Sequence, residues 1–424
     1  MKILVIGGGG REHAILWRLS KDSVKHELYA APGNAGTAAI ATNVPIGAEN
    51  IDDLYAWAQM ARPELVVVGP EAPLCAGVAD RLSNLGIPVF GPNQEAAKME
   101  GSKQFAKEVM GAAGVPTARA EVYTDAAEAK AALAHFSLPV VIKADGLAAG
   151  KGVIIAQTKR EAENAITDIL DKKQFGEAGA SLLIETFLEG EEASILALID
   201  GHNIAVLPAA QDHKRVNDND EGPNTGGMGA YSPAPVVTPE IEKTALKWIF
   251  RPVVKELAER GIVYRGVLYA GLMIGPKGVN VLEFNCRFGD PETEVILPRI
   301  GGNFAELLLS CAEGRLNPKD LKISDKACAT VVMAAPGYPG KYPKGLEITG
   351  LDAAGKPKNT VVFHAGTAVK DGKTVTAGGR VLTVTALGGT LREAVDAAYE
   401  GVGKIKFEGA HYRTDIAKRA FNRK

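Results

Sequence analysis

Cysteine is scarce here: Cys75, Cys286, Cys311 and Cys328 are the only four in 424 residues, and none stands in a C-x-x-C pair. That usage argues against a structural zinc site and fits a reducing compartment. An excess of one charge is also missing. Lys and Arg total 48 against 50 Asp and Glu, a formal net charge of -2. With no Lys/Arg-rich run, a nucleic-acid surface is not expected. No apolar stretch is long enough to span a bilayer, and the apolar start Ile3 to Ile6 ends at four glycines, too short for a signal-peptide core. The expectation is a cytoplasmic protein with no membrane partner. Repeats and low-complexity segments are absent as well. What is present is an apolar content of 46% and a charged content of 23%, those of a soluble globular chain with a sizeable core. The length sets a prior of about three domains. Glycine is abundant and clustered, with 48 residues.

Residues 1 to about 100 alternate between strand and helix patterns. Lys2 to Ile6, Leu65 to Val68 and Pro88 to Phe90 read as strands, Arg11 to Leu19 and Ala76 to Leu85 as helices. That alternation implies a doubly wound parallel sheet. Ser102 is placed to cap a helix from Lys103 to Ala113. The middle of the chain changes character. Strands are expected at Val140 to Lys143, Val153 to Ala156, Leu182 to Glu185 and Ala193 to Ile199, with a helix from Lys159 to Asp171. Residues 216 to 235 read as a long loop, of a length that is usually functional or mobile. A helix over Glu240 to Arg260 and a strand over Val267 to Ile274 follow. Beyond Ala327 the pattern is β-rich, with a closing helix from Leu391 to Glu400. The expected division is 1–101, 102–325 (with a lid part at about 121–190) and 326–424, the last packed rather than tethered.

The stretch Val281-Leu282-Glu283-Phe284-Asn285-Cys286-Arg287-Phe288-Gly289-Asp290-Pro291-Glu292 carries most information. As a strand it places Glu283 and Asn285 on one face, and Leu282 and Phe284 on the other, toward a core. A carboxylate beside an amide oxygen makes a hard donor pair suited to Mg2+ or Mn2+ against phosphates. An edge strand with two polar residues would look the same. Lys143-Ala-Asp-Gly146-Leu-Ala-Ala-Gly-Lys151-Gly152 is a phosphate-loop candidate, and a flexible lid over a triphosphate. It is no Walker A loop, since it joins two strands and lacks the terminal Ser or Thr; an ordinary hairpin loop is the alternative. Glu185 to Glu192 lies between two strands and could present backbone groups to an adenine edge and a carboxylate to a ribose, or be a solvated acidic turn. Gly7-Gly8-Gly9-Gly10-Arg11-Glu12 follows a strand and opens a helix, a natural anion site. It misses the third glycine of a dinucleotide fingerprint, which weakens an oxidoreductase reading. A tight turn packing helix on strand is the plain alternative. In Gln211-Asp-His-Lys-Arg215, Lys214 is the likeliest phosphate contact, against a merely solvated charge run. His135, His202 and His411 have no partner at ligand spacing and read as structural or surface residues.

Together these motifs, with Gly69-Pro-Glu71-Ala-Pro-Leu74 and Asn224-Thr-Gly-Gly-Met-Gly229, resemble the ATP-grasp superfamily and, within it, the phosphoribosylamine–glycine ligase family. The run Arg287 to Glu292 is the specific part of that resemblance. It implies an ATP-grasp fold flanked by an N-terminal doubly wound domain and a C-terminal β-rich domain. It implies ATP as co-substrate, Mg2+ or Mn2+ as cofactor, and glycine and 5-phosphoribosylamine as substrates of de novo purine synthesis. By position it assigns Lys103, Lys143, Gly146, Lys151 and Gly152 to the phosphates, Glu185 and Leu188 to adenine through their backbone, and Glu192 to ribose. Glu283 and Asn285 become metal ligands; Arg287, Lys214 and Asp290 become catalytic. Gly9, Gly10, Arg11, Glu12 and Glu71 would meet the phosphoribosyl substrate. Many relatives carry another acidic ligand on the preceding strand; Leu268-Tyr-Ala-Gly271 has none. A monomer is expected. The alternatives are another ATP-grasp carboxylate–amine ligase or carboxylase component, and a non-catalytic nucleotide-binding module.

Overall fold

The computed structural model describes residues 1–147, 152–357 and 359–423. Five parallel strands open the chain: β1 (Lys2–Gly7), β2 (Glu27–Pro32), β3 (Thr42–Asn43), β4 (Leu65–Val68) and β5 (Val89–Phe90), in spatial order β3-β2-β1-β4-β5. Period-2 alternation divides the central strands between two cores. Leu4, Ile6, Val66 and Val68 join Leu54 and Val78 on one face. Ile3, Val5, Leu65 and Val67 join Ile15 and Leu19 on the other. Helices α1 (Gly10–Leu19) and α2 (Ile51–Ala61) thus cover opposite faces. The strand order turns between β1 and β4, so residues 8–10 and 69–71 leave adjacent strand ends, where open α/β sheets bind ligands.

The expected helix Ala76 to Leu85 is present as the shorter α4 (Val78–Ser83), and another short helix, α3 (Glu71–Cys75), precedes it. Gly77 between them has φ +85°, a left-handed conformation that breaks the helix. Next come α5 (Gln94–Gly101) and α6 (Lys103–Ala112). Ser102 caps α6, its hydroxyl accepting from Phe105 N–H at 3.1 Å.

Four antiparallel strands, β6 (Ala120–Tyr123), β7 (Val140–Ala144), β8 (Val153–Ala156) and β9 (Leu182–Thr186), form a sheet of order β6-β9-β7-β8. It has its own core of Val140, Ile142 and Ile184 against Ala162 and Ile166. Strands β10 (Glu191–Ile199) and β11 (Ile204–Val206) lead into a long hairpin. That hairpin holds β12 (Gln211–Asp212), β13 (Arg215–Asn217), β14 (Glu221–Asn224) and β15 (Gly229–Ser232). Residues 216 to 235 are therefore not the open loop their composition suggests. Asn219, Asp220 and Gly222, all at positive φ, turn the chain back on itself. Strands β16 (Gly266–Gly275) and β17 (Gly278–Asn285) complete a second sheet, β11-β10-β16-β17.

Beyond it, β18 (Ile300–Gly301) pairs with β19 (Lys322–Ile323). The C-terminal part contributes β20 (Ala327–Ala334), β21 (Thr360–His364), the ribbon β22 (Thr367–Lys370) and β23 (Lys373–Thr376), and β24 (Arg380–Gly388). Its main sheet runs β12-β15-β20-β24-β21. Two of its strands come from residues 211–232, so this sheet is built into the middle of the chain. Among the described residues no helix is long and apolar enough to cross a membrane.

Candidate active site

Lysines line one wall of the cleft between the two four-stranded sheets. Lys143 ends β7, where it is almost fully buried. Its ammonium sits 2.9 Å from Glu185 Oε2 on neighbouring β9 and donates to the Leu282 carbonyl at 3.2 Å. Lys107 approaches the other Glu185 oxygen at 3.4 Å. The Glu185 side chain therefore holds two cations, a role beyond the backbone contact expected of it. Lys103 donates to the Gly146 carbonyl at 2.9 Å. Burial lowers the Lys103 pKa, only partly offset by Glu283. Asp145 ties the base of the glycine loop to α6, accepting from Lys103 N–H at 2.6 Å and Gln104 N–H at 3.2 Å. The Gly152 carbonyl closes that base by accepting from Ala144 N–H at 2.9 Å. Lys151 lies outside the described residues. Leu188 is in the irregular link between β9 and β10.

The opposite wall is the end of β17. Glu283 faces Gly271 and Asn285 faces Tyr269 across the ladder, so the two share one sheet face. The register slips between Gly271 and Leu272, leaving Leu282 as the extra residue of a bulge. Leu282 was expected in the core with Phe284. Phe284 is buried, but Leu282 is half-exposed and lines a narrow cavity with Glu192, Asp212, Lys214 and Tyr269. The bulge also turns the Leu282 carbonyl to Lys143. Burial would raise the Glu283 pKa, yet Lys214, Lys143, Lys103 and Arg287 hold it below the usual carboxylate value.

Lys214 is 2.7 Å from Glu192 Oε2. Burial would lower its pKa, but Glu192, Asp212, Tyr269 and Glu283 keep it well above the ordinary lysine value. Burial, with Glu292 and Glu192 nearby, pushes Asp212 up to about 7 against the pull of Lys214. Behind this group Tyr269 donates to Glu292 Oε1 at 2.8 Å, and Ser194 donates to the same oxygen at 3.0 Å.

Arg287 joins this cleft to the N-terminal sheet. Its guanidinium donates to Glu100 at 2.7 Å, Glu71 at 3.2 Å and Asn285 Oδ1 at 3.1 Å. Glu100 also accepts from Cys286 N–H at 2.8 Å. Asp290, three residues on, meets Arg380 of β24 at 3.1 Å. Arg380 further donates to the Gly226 carbonyl at 2.7 Å. Three parts of the chain thus converge on residues 285–290.

The Gly7–Glu12 turn sits at the crevice beside Glu71. Glu12 accepts from Gly9 N–H at 2.6 Å. A Cβ on Gly69 would lie 2.1 Å from Glu12 Oε1, and one on Gly7 would lie 2.5 Å from the Glu12 side chain. Glu12 thus fills the space those glycines leave and fixes the turn. Arg11 differs from the free phosphate contact expected. It is 7% exposed, paired with Glu12 at 2.6 Å and donating to the Phe288 carbonyl at 3.2 Å. Gly10 leaves room for Glu294, whose Oε1 would be 2.6 Å from a Cβ there. Neither Glu294 oxygen has a hydrogen-bond partner among the described residues, and burial together with Asp290 raises its pKa well above the carboxylate range.

Sequence reasoning missed Lys107, Glu100, Arg380 and Glu294, and it included Asp212 in the motif of Lys214 without giving it a role of its own. Lys107 could have been found, being one helical turn from Lys103. The others have no local signal.

Two sheets closing on a lysine-lined cleft, with paired oxygen donors at the end of one strand, define an ATP-grasp ligase. Profiles of phosphoribosylglycinamide synthetase match the whole arrangement: its N domain over residues 1–100, its ATP-grasp (A) domain over 101–293 and its C domain over 328–419. The phosphoribosylamine–glycine ligase of Pasteurella multocida is 48% identical over 426 residues, covering 100% of this chain and 99% of that protein. The trifunctional purine biosynthetic protein adenosine-3 of Gallus gallus is 49% identical across 99% of this chain, which spans 42% of that longer protein. The crystal structure of phosphoribosylamine–glycine ligase from Thermotoga maritima superposes with a TM-score of 0.87 at 38% identity, covering 98% of this chain and 100% of that one. The chain belongs to the phosphoribosylamine–glycine ligase family.

Proposed function

We propose that this ligase joins glycine to 5-phosphoribosylamine in de novo purine synthesis, through glycyl phosphate, and releases glycinamide ribonucleotide, ADP and phosphate. The observation that carries the reading is the position of Glu283, set among Lys214, Lys143, Lys103 and Arg287 beside the N-terminal crevice.

A carboxylate is a poor electrophile, and phosphorylation gives it a leaving group. Lys103, Lys143 and Lys214, with Lys151 of the glycine loop, neutralise the transferring phosphoryl group. Residues 185–188 present backbone groups to adenine, and Glu192 accepts from ribose. Glu283 and Asn285 fit Mg2+ or Mn2+, since a carboxylate and an amide oxygen from one sheet face are hard donors. When bound, the ion supplies charge neutralisation and a template for the phosphates. Arg287 steadies the acyl phosphate and Asp290 faces the incoming amine. The turn at Gly9 and Gly10, fixed by Arg11 and Glu12, receives the phosphoribosyl group with Glu71. We read the working unit as a single chain in the cytoplasm.

The test is ADP release from ATP, measured with glycine, with and without phosphoribosylamine generated in situ. Sustained release that needs both supports the reading. Release indifferent to glycine refutes it.

A further inference from the structure

The hairpin that carries Lys214 is held from outside by the end of the chain. At its tip, Thr414 N–H donates to Asp218 Oδ1 and Asn219 N–H donates to Asp415 Oδ2, both at 2.8 Å. Arg413, 1% exposed, donates to Asp220 at 2.8 Å and to the Arg215 carbonyl at 3.1 Å. Its remaining donors go to Asp415 at 2.7 and 2.8 Å. Arg419 is a second cation on Asp220, at 3.3 Å. His213, the residue before Lys214, is buried and accepts from Ala417 N–H at 3.1 Å. Arg423 reaches β10 and donates to Glu191 at 2.8 Å. The next residue, Glu192, takes the Lys214 ammonium. Both members of the Lys214–Glu192 pair are thus flanked by contacts from the tail.

The base of the hairpin is held by β12 pairing with β15 and by His213 N–H donating to the Gly229 carbonyl at 2.9 Å, but its tip has little internal pairing. Its outer strands pair only at Arg215 with Asn224 and Asn217 with Glu221, with an irregularity between them. A two-stranded ribbon of that size is marginal alone. Inside the hairpin, the Lys214 carbonyl accepts from Thr225 N–H at 2.7 Å and from its hydroxyl at 2.8 Å. Lys214 therefore sits between the sheet-bound base and the tip, and strain at the tip reaches its backbone through Thr225.

We infer that the C-terminal segment Arg413–Arg423 is a positioning element of the nucleotide site, setting the place of Lys214 against Glu192. This rests on the reading of Lys214 as a phosphate contact. It makes Arg419 and Arg423 positioning residues for ATP, although neither lines the cleft. Arg413 is too deeply buried to be a clean probe, since its loss empties the buried space that its own side chain fills. Arg419 and Arg423 are more exposed, so their removal loosens the segment without opening a core.

The working variant is full-length Arg419→Ala/Arg423→Ala. ATP affinity is measured by direct calorimetric titration, alongside kcat, the KM of each substrate and the melting temperature. The expected result is an ATP dissociation constant raised about fivefold, the effect of losing weak exposed pairs. The KM values for glycine and phosphoribosylamine stay unchanged, the melting temperature moves little, and Arg419→Lys/Arg423→Lys recovers most of the loss. Unchanged ATP affinity overturns the inference. So does an equal weakening of all three substrates with a lower melting temperature, which marks a purely structural role. Lys214→Met is titrated in parallel. If it weakens ATP and the tail variant does not, the tail inference alone fails. If it leaves ATP affinity intact, the reading of Lys214 fails and the inference with it.

Discussion

Glu185→Gln is the sharpest perturbation of the lysine wall. The carboxylate is shared by Lys143 at 2.9 Å and Lys107 at 3.4 Å, with side-chain exposures of 3% for Glu185, 7% for Lys143 and 13% for Lys107. A unit charge pair about 4 Å apart interacts by about 4 kcal/mol at an effective dielectric near 20. Desolvation offsets much of that while the pair is intact. When one partner is removed, the other charge stays buried, and such losses run to about 3–5 kcal/mol. Gln keeps the shape and one acceptor, so about 3 kcal/mol of lost stability is expected in urea unfolding at pH 7. The sign of the pH dependence gives a second check. An unpaired buried lysine has a folded-state pKa below its unfolded value, so the unfolded chain binds more protons and stability rises with pH. The deficit should therefore narrow between about pH 7 and pH 10, as the stranded lysines shed their protons. The KM for ATP should rise too, because Lys143 loses its charged anchor and keeps only neutral acceptors, the Leu282 carbonyl and the Gln amide oxygen. A deficit below about 1 kcal/mol, flat with pH, would refute the reasoning and leave Glu185 with a backbone role only.

Four further outcomes are expected. Burial, with His364 beside it, lowers His13 to about 3, and burial lowers His364 to about 4; below about pH 6.5 the unfolded state alone takes up these protons, so stability falls with acid by up to about 1.4 kcal/mol per pH unit per histidine. His364→Gln should roughly halve that slope in urea titrations between pH 6.5 and 4. Gly8→Ala would put a Cβ 2.6 Å from the Gly33 carbonyl; steady-state kinetics should show a raised KM for phosphoribosylamine and an unchanged KM for ATP. Arg287→Lys keeps the charge but cannot span Glu71, Glu100 and Asn285 at once, so kcat should drop at least about tenfold, and a near-normal kcat would show that the fork is dispensable. Glu283→Gln should abolish most turnover at saturating Mg2+ while leaving the circular dichroism spectrum unchanged, and calorimetry with Mn2+ and ADP should show weakened metal binding.

What could be read in advance depended on how local each cause is. Strands β1 and β4 are legible because a short apolar run is cut by glycine or Gly-Pro. The cap at Ser102 is legible for the same reason, since its acceptor serves a donor three residues away. The shared face of Glu283 and Asn285 follows from strand geometry alone. The bulge at Leu282 does not, because it exists only in the register with β16. The hairpin at 215–224 looked like a loop because its Asn, Asp and Gly residues are turn formers. What orders it comes from residues about 200 positions later, beyond the reach of any local pattern. The surroundings of Arg11 were hidden for a related reason. Its side-chain partners include the Phe288 carbonyl, 277 residues away.

The placement of Arg287 bears on how a reactive intermediate is handled. On the proposed reading, phosphoryl transfer occurs at the end of β17, and the amine waits in the crevice where β1 and β4 end. Glycyl phosphate is prone to hydrolysis, so the distance it crosses and the water it meets decide the yield. Arg287 touches Asn285 on the first side and Glu71 and Glu100 on the second. Glu100 also accepts from the backbone of Cys286, so α5 is tied directly to the strand end. An arginine held by four acceptors, the Phe288 carbonyl at 3.3 Å among them, has little freedom, and a preorganised cation stabilises developing charge without reorganising when the reaction occurs. Asp290 and Arg380 bring the C-terminal sheet to the same point. On the proposed reading the acyl phosphate forms at the junction of all three parts of the chain. A shift of the N-terminal sheet relative to β17 would break the Arg287 links as well as disturb the core that Ile6 and Val68 share with Val281 and Phe284. That makes the junction, rather than either half-site, the place where glycine activation and amine delivery are kept in register.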